Sequence, residues 1–170
     1  MQDMAFKKIL VPTDFSQYSE RGVCAAIAMA RHFDSDLYFI NVWPPEFMFE
    51  AELRAKVDDE VKRRLEEEIH NRENKLKEFV EEFDISGVRA HYMIKSGPPY
   101  LEIIIAAREL DVGLIIIGTH GSTGLLASML IGSVAEKVVR RASCPVMTIK
   151  PEGFECDELV RHREQRGIPG

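Results

Sequence analysis

Short runs rich in apolar residues recur along the chain, and the run at residues 112–117 is strongly β-branched. Apolar runs of this length are typical of strands that are buried on both faces of a parallel sheet. We therefore predict five strands, at residues 7–11, 37–42, 88–94, 112–117 and 145–150.

Longer segments with helical periodicity separate these runs. Ser16 suits the N-cap of a helix that continues to about residue 33. A charged helix is predicted from about residue 50 to residue 83, because apolar side chains recur there every four positions. Pro98 and Pro99 suit the first turn of a third helix, which runs to about residue 109. A fourth helix is predicted from about residue 128 to residue 141.

Strands that alternate with helices predict an α/β fold, a doubly wound open sheet of five parallel strands with helices on both faces. The expected strand order is 3-2-1-4-5, and residues 1–151 form the domain. Residues 152–170 are a mostly polar tail, which is either disordered or a short surface helix. Ligands of such sheets bind beyond the carboxyl ends of the strands, where the winding reverses. That point lies between strands 1 and 4.

A glycine-spaced segment from Gly118 to Ser133 follows strand 4, at that point. Glycine lets the backbone approach an anion closely, and free N–H groups near a helix start can hold phosphate oxygens. The hydroxyls of Ser122, Thr123 and Ser133 add donors. The alternative is a plain turn between a strand and a helix that contains several glycines.

Three other residues are candidates for the same site. Asp14 follows strand 1, where its carboxylate suits ribose hydroxyls or, through water, a divalent ion; the alternative is a helix N-cap or an Asx turn. Val42 ends strand 2 and suits a purine, an interpretation that is compatible with core packing. His120 lies inside the glycine-spaced segment, where it either touches a phosphate or is a spacer that faces solvent.

Charge and composition narrow the function further. A formal charge of −6 gives no basic field to attract nucleic acid or anionic lipid. The chain has no apolar run long enough to span a bilayer and no signal-peptide pattern, so we expect a cytoplasmic protein. Cys24 and Cys144 lie in or beside apolar runs and are predicted to be core thiols, whereas Cys156 lies in the polar tail.

Sequence patterns of fast phosphoryl-transfer enzymes are missing. There is no P-loop lysine motif, and no Lys or Arg occurs between Thr119 and Glu136. Phosphoryl transfer needs cationic stabilisation of the transition state. The segment is therefore predicted to hold a nucleotide and to hydrolyse it slowly or not at all.

Several segments resemble the universal stress protein family, in its order, across roughly residues 5–151. They read ILVPTDFS, LYFINV, GLIIIGTHGSTG and IGSVAEKVVRRASCPVMTIKP. Members that bind ATP carry the pattern G-x2-G-x9-G-[ST]. Gly118 and Gly121 match its first spacing, but ten residues separate Gly121 from Gly132, which is one more than the pattern.

The resemblance implies an ATP-binding module for stress response or signalling, with Mg²⁺ or Mn²⁺, that forms a homodimer through the last strand, residues 146–150. Two alternatives stay open, a weak ATPase and a dimeric interaction protein that has lost nucleotide binding. The implied binding residues surround the base, ribose and phosphates: Pro12, Thr13, Asp14, Val42, Ile117, Gly118, Gly121, Gly132, Ser133 and Val134.

Overall fold

The computed structural model describes residues 6–43, 58–119 and 132–150. Strands and helices alternate along them, as the apolar runs predict. The elements in chain order are β1 (Lys8–Pro12), α1 (Gln17–Phe33), β2 (Asp36–Trp43), α2 (Asp59–Glu81), β3 (Arg89–Ser96), α3 (Pro99–Glu109), β4 (Leu114–Gly118), α4 (Ser133–Arg141) and β5 (Val146–Ile149).

The five strands form one parallel sheet in the order β3-β2-β1-β4-β5, which confirms the predicted topology. The central strands β1 and β4 are the most apolar, and Ile9, Leu10, Ile115 and Ile116 are fully buried. β3 and β5 are the two edges. The winding reverses between β1 and β4, so their carboxyl ends meet at one side of the sheet.

Helices cover both faces. On one face, α1 and α2 pack against side chains such as Val11, Phe39 and Ile116, and bury Val23 and Leu76 in the first core cluster. On the other face, α3 and α4 pack against a second cluster built around Leu10, Ile40 and Ile115. Alternate residues of each strand supply the two clusters, because successive side chains of a strand point to opposite faces. No helix in the described ranges is long and apolar enough to cross a membrane.

Two predicted helices are interrupted near the N-terminal ends of their predicted ranges. The charged helix, α2, begins at Asp59, because Asp58 has an extended backbone and its carboxylate accepts from the N–H groups of Glu60 and Val61 at 3.0 and 3.3 Å. The helix predicted from residue 128 begins at Ser133, since Gly132 is its non-helical N-cap. The predicted helical residues 50–57 and 128–131 lie outside the described ranges, as does the tail from residue 152.

One cysteine prediction is wrong. Cys24 lies on the exposed side of α1, although its neighbour Val23 is fully buried. Half of the surrounding run, residues 23–30, is alanine, whose small side chain gives little amphipathic signal to separate the two sides of a helix. Cys144 is half-buried beside the second cluster, as predicted, and burial raises the pKa of its thiol.

Candidate functional site

The predicted site lies where β1 and β4 run side by side. Leu10 of β1 is opposite Ile115 of β4, so the two strands reach the carboxyl edge together. Pro12 ends β1, and Ile117 and Gly118 end β4. The helix α1 comes close at this point, because a side chain at its buried Gly22 would touch the backbone N of Gly118 at 3.7 Å. The structure therefore brings Pro12 and Gly118, where the two predicted halves of the site begin, to one edge.

The turn after β1 is fixed by Thr13. Its N–H donates to the carbonyl of Ile40 at 2.9 Å, which continues the β1–β2 ladder by one bond. Its buried hydroxyl lies 2.8 Å from the Ser19 hydroxyl and accepts from the N–H of Phe15 at 3.1 Å. Since these bonds use the side chain of Thr13 within the fold, its role at the site is to shape the turn.

Asn41 ties this turn to the next strand. Its side-chain amide donates to the carbonyl of Thr13 at 2.9 Å, and the residue is 5% exposed. The carbonyl oxygen of the same side chain is buried with no hydrogen-bond partner among the described residues. A buried amide is costly unless it is hydrogen-bonded, and the bond to Thr13 is the one that offsets the cost here. Asn41 therefore clamps the position of the residues that follow β1. This role was not predicted, because in the sequence Asn41 is a single polar residue inside an apolar strand.

Phe15 has a backbone conformation that bulky residues rarely adopt, with φ of 63°. Its ring packs edge-on against Phe79 of α2 at 5.7 Å, and the ammonium of Lys75 lies 4.7 Å from the ring centre. These contacts hold the backbone in the left-handed region, at a cost of about 1–2 kcal/mol. The turn after β1 is thus attached to α2 as well as to β2.

Asp14 lies on the exposed side of this turn. Its Oδ1 accepts from both the N–H of Ser16, at 3.1 Å, and the Ser16 hydroxyl, at 2.6 Å. The Asx turn considered in the sequence analysis is therefore present. Ser16 is the N-cap residue of α1, but its hydroxyl makes no cap bond and donates to Asp14 instead. The result is a carboxylate held in a fixed place at the mouth of the β1–β4 junction.

The N-terminus of α4 is joined to the end of β4. The N–H of Gly132 donates to the carbonyl of Thr119 at 2.6 Å, and the N–H of Thr119 donates to the carbonyl of Ile149 at 2.9 Å. The N–H groups of Ser133 and Val134 belong to the first turn of α4, which has no carbonyl partners inside the helix. They carry the positive end of the helix dipole, so this end of the junction favours an anion.

Val42 lies one strand further along the same edge. The β1–β2 pairing ends at Pro12 and Ile40, whereas β2 continues through Trp43. The backbone at Val42 therefore extends past the last residue of β1, while its side chain packs partly on the second cluster. Both interpretations from the sequence, a place for a purine and core packing, are compatible with this position.

Positive charge near the turn comes from α2. The guanidinium of Arg72 lies 4.0 Å from the centre of the Trp43 ring, and Lys75 covers Phe15. Within the described residues, no group of three or more His, Cys, Asp or Glu side chains has a geometry that could hold a metal ion. His120 and Gly121 lie outside the described ranges, so their predicted contacts stay predictions.

Comparison with known proteins identifies relatives across almost the whole chain. The family model described as "Universal stress protein family" matches residues 5–150. Universal stress protein MJ0531 of Methanocaldococcus jannaschii is 37% identical over 147 residues, which is 85% of this chain and 82% of that protein. The solved structure of MJ0577 from the same organism superposes with a TM-score of 0.70 at 30% identity, over 88% of this chain and 99% of that one.

One further solved structure is similar to this chain in its fold alone. The structure of a universal stress protein in complex with cAMP superposes with a TM-score of 0.60 at 19% identity. It covers 86% of this chain and 98% of that chain.

Proposed function

The chain belongs to the universal stress protein family, and we propose that it is a nucleotide-binding stress or signalling module. Its ligand is ATP with Mg²⁺ or Mn²⁺, and it hydrolyses ATP slowly or not at all. The observation that carries this proposal is the hydrogen bond from Gly132 to Thr119. That bond joins the first turn of α4 to the carboxyl end of β4, the strand that lies beside β1.

The phosphates are assigned to the N-terminus of α4. The N–H groups of its first turn, at Ser133 and Val134, have no carbonyl partners inside the helix, and with the Ser133 hydroxyl they offer several donors within one helical turn. His120 and Gly121 complete this part of the site in the proposal. The helix dipole favours the negative charge that ATP brings.

The ribose and the base are assigned to the β1 and β2 side. Pro12 and Asp14 provide the ribose contacts, and Thr13 holds both in place through its bonds to Ser19 and Phe15. The part of β2 that continues past β1, at Val42, receives the adenine. The universal stress protein with cAMP shows that this fold can hold an adenine nucleotide. At 19% identity, however, it shares only the fold with this chain.

The metal fits the site only as a companion of the phosphates. Mg²⁺ keeps several waters and is usually held by one or two carboxylates together with substrate phosphates. Asp14 is a single fixed carboxylate of that kind. When bound, the ion would neutralise phosphate charge. The chain's own residues would orient the nucleotide.

The module is proposed to pair through β5. This strand is an edge of the sheet, and its four residues from Val146 to Ile149 are all half-buried. An apolar edge strand is a template for pairing with another chain, so a second copy of β5 would cover it.

Calorimetric titration with ATP and Mg²⁺ tests the proposal, with two variants at Ser133. Ser133→Pro removes one N–H donor without harming the helix, because proline is favoured at the first helical position. The backbone of Gly132, with φ of −53° and ψ of 147°, suits a residue that precedes proline. Ser133→Ala is the matched control, since it keeps the N–H and removes only the hydroxyl.

We expect Ser133→Pro to bind ATP at least about tenfold more weakly than Ser133→Ala, because a hydrogen bond to a charged group contributes about 1.5–3 kcal/mol. No heat from the wild type at millimolar ATP would refute nucleotide binding. Equal affinity of the two variants would refute the assignment of the phosphates to α4. Phosphate release faster than about 1 s⁻¹, the range of ordinary enzymes, would overturn slow hydrolysis.

A further inference from the structure

The N-terminal half of α2 carries an apolar stripe, formed by Val61, Leu65 and Ile69. Further along the helix, Leu76 and Val80 are fully buried in the first core cluster. The three stripe residues are half-buried, and they are not among the described side chains that pack on either cluster. The stripe therefore contributes nothing to the core that the described residues form.

The three residues form one line along the helix. A spacing of four residues advances the helix by about 6 Å and turns it by about 40°, so the stripe is about 12 Å long on one side. Arg63 and Glu67, which are paired with each other, lie on the opposite side. The helix thus has a narrow apolar seam, which is the pattern of a helix that packs against another helix.

The charges beside the stripe are inverted about its centre. Three basic residues, Lys62 to Arg64, precede Leu65, and three acidic residues, Glu66 to Glu68, follow it. At 100° per residue, Lys62 and Glu66 flank the stripe on one side, and Arg64 and Glu68 flank it on the other. Each flank therefore has a positive charge followed by a negative charge in the chain direction.

We propose that this stripe binds the same stripe of a second copy of the chain, with the two α2 helices antiparallel and the two-fold axis passing by Leu65. In that arrangement Val61 meets the partner's Ile69. Along one flank, Lys62 lies beside the partner's Glu66. Along the other flank, Arg64 lies beside the partner's Glu68.

The charge pattern selects the antiparallel direction. A two-fold axis at Leu65 places the residues before Leu65 of one copy beside the residues after Leu65 of the other copy. Because the charge changes sign at Leu65, opposite charges meet on both flanks. Parallel helices in register would bring like charges together, which opposes association. Flanking charges of this kind set partner choice and orientation in paired helices.

Two of the flanking charges already have partners within the helix. Arg64 pairs with Glu60 at 2.9 Å, and Glu68 lies 3.5 Å from Arg72. Arg64 and Glu68 are exposed, whereas Arg72 is half-buried. Ion pairs at exposed positions are weak, so Arg64 and Glu68 can exchange or share their partners at little cost. With three apolar side chains from each copy, the contact is smaller than a standard protein interface. We therefore expect association that depends on protein concentration and that is independent of β5 and of nucleotide.

Paired charge reversals test the proposal without depending on one variant. Lys62→Glu with Arg64→Glu makes all four flanking positions negative, and Glu66→Lys with Glu68→Lys makes them all positive. Either variant alone repels its own copy, whereas a mixture of the two restores opposite charges on both flanks. The control is the double variant Arg63→Glu with Glu67→Arg on the opposite side of the helix. It exchanges the two charges and so keeps an ion pair between these positions.

The readout is the mass of the full chain by light scattering over a range of concentrations up to millimolar. We expect the mass at high concentration to fall by half in either charge variant, to return in their mixture and to be unchanged in the control. Circular dichroism checks that each variant keeps its helices. An equal mass in all samples would refute the proposal, as would a mass that falls in the variants and does not return on mixing. The mass of either charge variant falls by half relative to the wild type whether or not β5 pairs, so the result does not depend on the proposed function.

Discussion

The clamp between Asn41 and Thr13 makes a prediction about pH. Aspartate has almost the shape of asparagine, but Asn41→Asp replaces the amide donor with an acidic oxygen that faces the carbonyl of Thr13. Position 41 is 5% exposed, so the new carboxylate is buried. Among the described residues, no cationic side chain is hydrogen-bonded to this position. Burial raises the folded-state pKa of such a group above its ordinary value.

The sign and the magnitude follow from linkage. Because the folded-state pKa is raised, ionisation costs the variant no stability below the ordinary aspartate pKa. As the pH rises above that ordinary pKa, the free energy of unfolding of the variant falls. Taking the low end of the shift that full burial produces, we expect a loss of about 1 kcal/mol at pH 4.5 and about 4 kcal/mol at pH 8. The second figure is a large part of the stability of a typical domain.

Urea unfolding at both pH values measures this difference. Asn41→Leu is the control, because it removes the donor without adding a titratable group. The control leaves the Thr13 carbonyl unsatisfied and should cost about 1–3 kcal/mol at either pH. If the cost of Asn41→Asp were the same at pH 4.5 and pH 8, the carboxylate would not be buried at the clamp, and our description of the turn would be wrong.

Three further predictions concern the pKa shifts and the backbone. Hydrogen bonds from Ser86 and the guanidinium of Arg31 lower the pKa of Asp84 to about 2. In urea unfolding, Asp84→Asn should therefore be less stable than the wild type above about pH 4, and the difference should vanish toward pH 2. A difference in unfolding free energy that grows on acidification would contradict this. Iodoacetamide at pH 8 should modify exposed Cys24 before Cys144, whose pKa burial raises, as peptide mass spectrometry can show; the reverse order would refute it. Gly97→Ala should cost about 2 kcal/mol or more, because φ of 145° lies outside the left-handed region that other residues can adopt. A control alanine at Gly87, with φ of 77° near that region, should cost about 1 kcal/mol; equal melting temperatures would refute this difference in backbone strain.

The topology was predictable because it depends on short-range patterns. The β-branched run at β4 and the long connections between strands leave few arrangements other than 3-2-1-4-5. Once β1 and β4 are neighbours, the segment after Pro12 and the segment after Gly118 must meet at one edge. The location of the candidate site followed from this order alone, before any side chain was placed.

The details of the turn were not predictable, because they depend on contacts between distant parts of the chain. The left-handed backbone of Phe15 is held by Phe79 and Lys75, more than fifty residues away. The role of Asn41 appears only when β2 lies beside the turn. Ser16 was expected to cap α1 with its hydroxyl, but Asp14 accepts that hydroxyl instead. Two predicted helices ran through Asp58 and Gly132, but in the structure these residues have a non-helical backbone and precede the first turn of α2 and α4.

The central claim is that an adenine nucleotide binds at the junction of β1, β4 and the N-terminus of α4. Amide chemical shifts recorded by nuclear magnetic resonance while ATP and Mg²⁺ are added test it most directly. We predict that the amides of Asp14, Gly118, Ser133 and Val134 shift together and saturate with one dissociation constant, while that of Val139, in the last turn of α4, stays in place. Saturating shifts confined to other parts of the chain, or no shifts at millimolar ATP, would contradict the account.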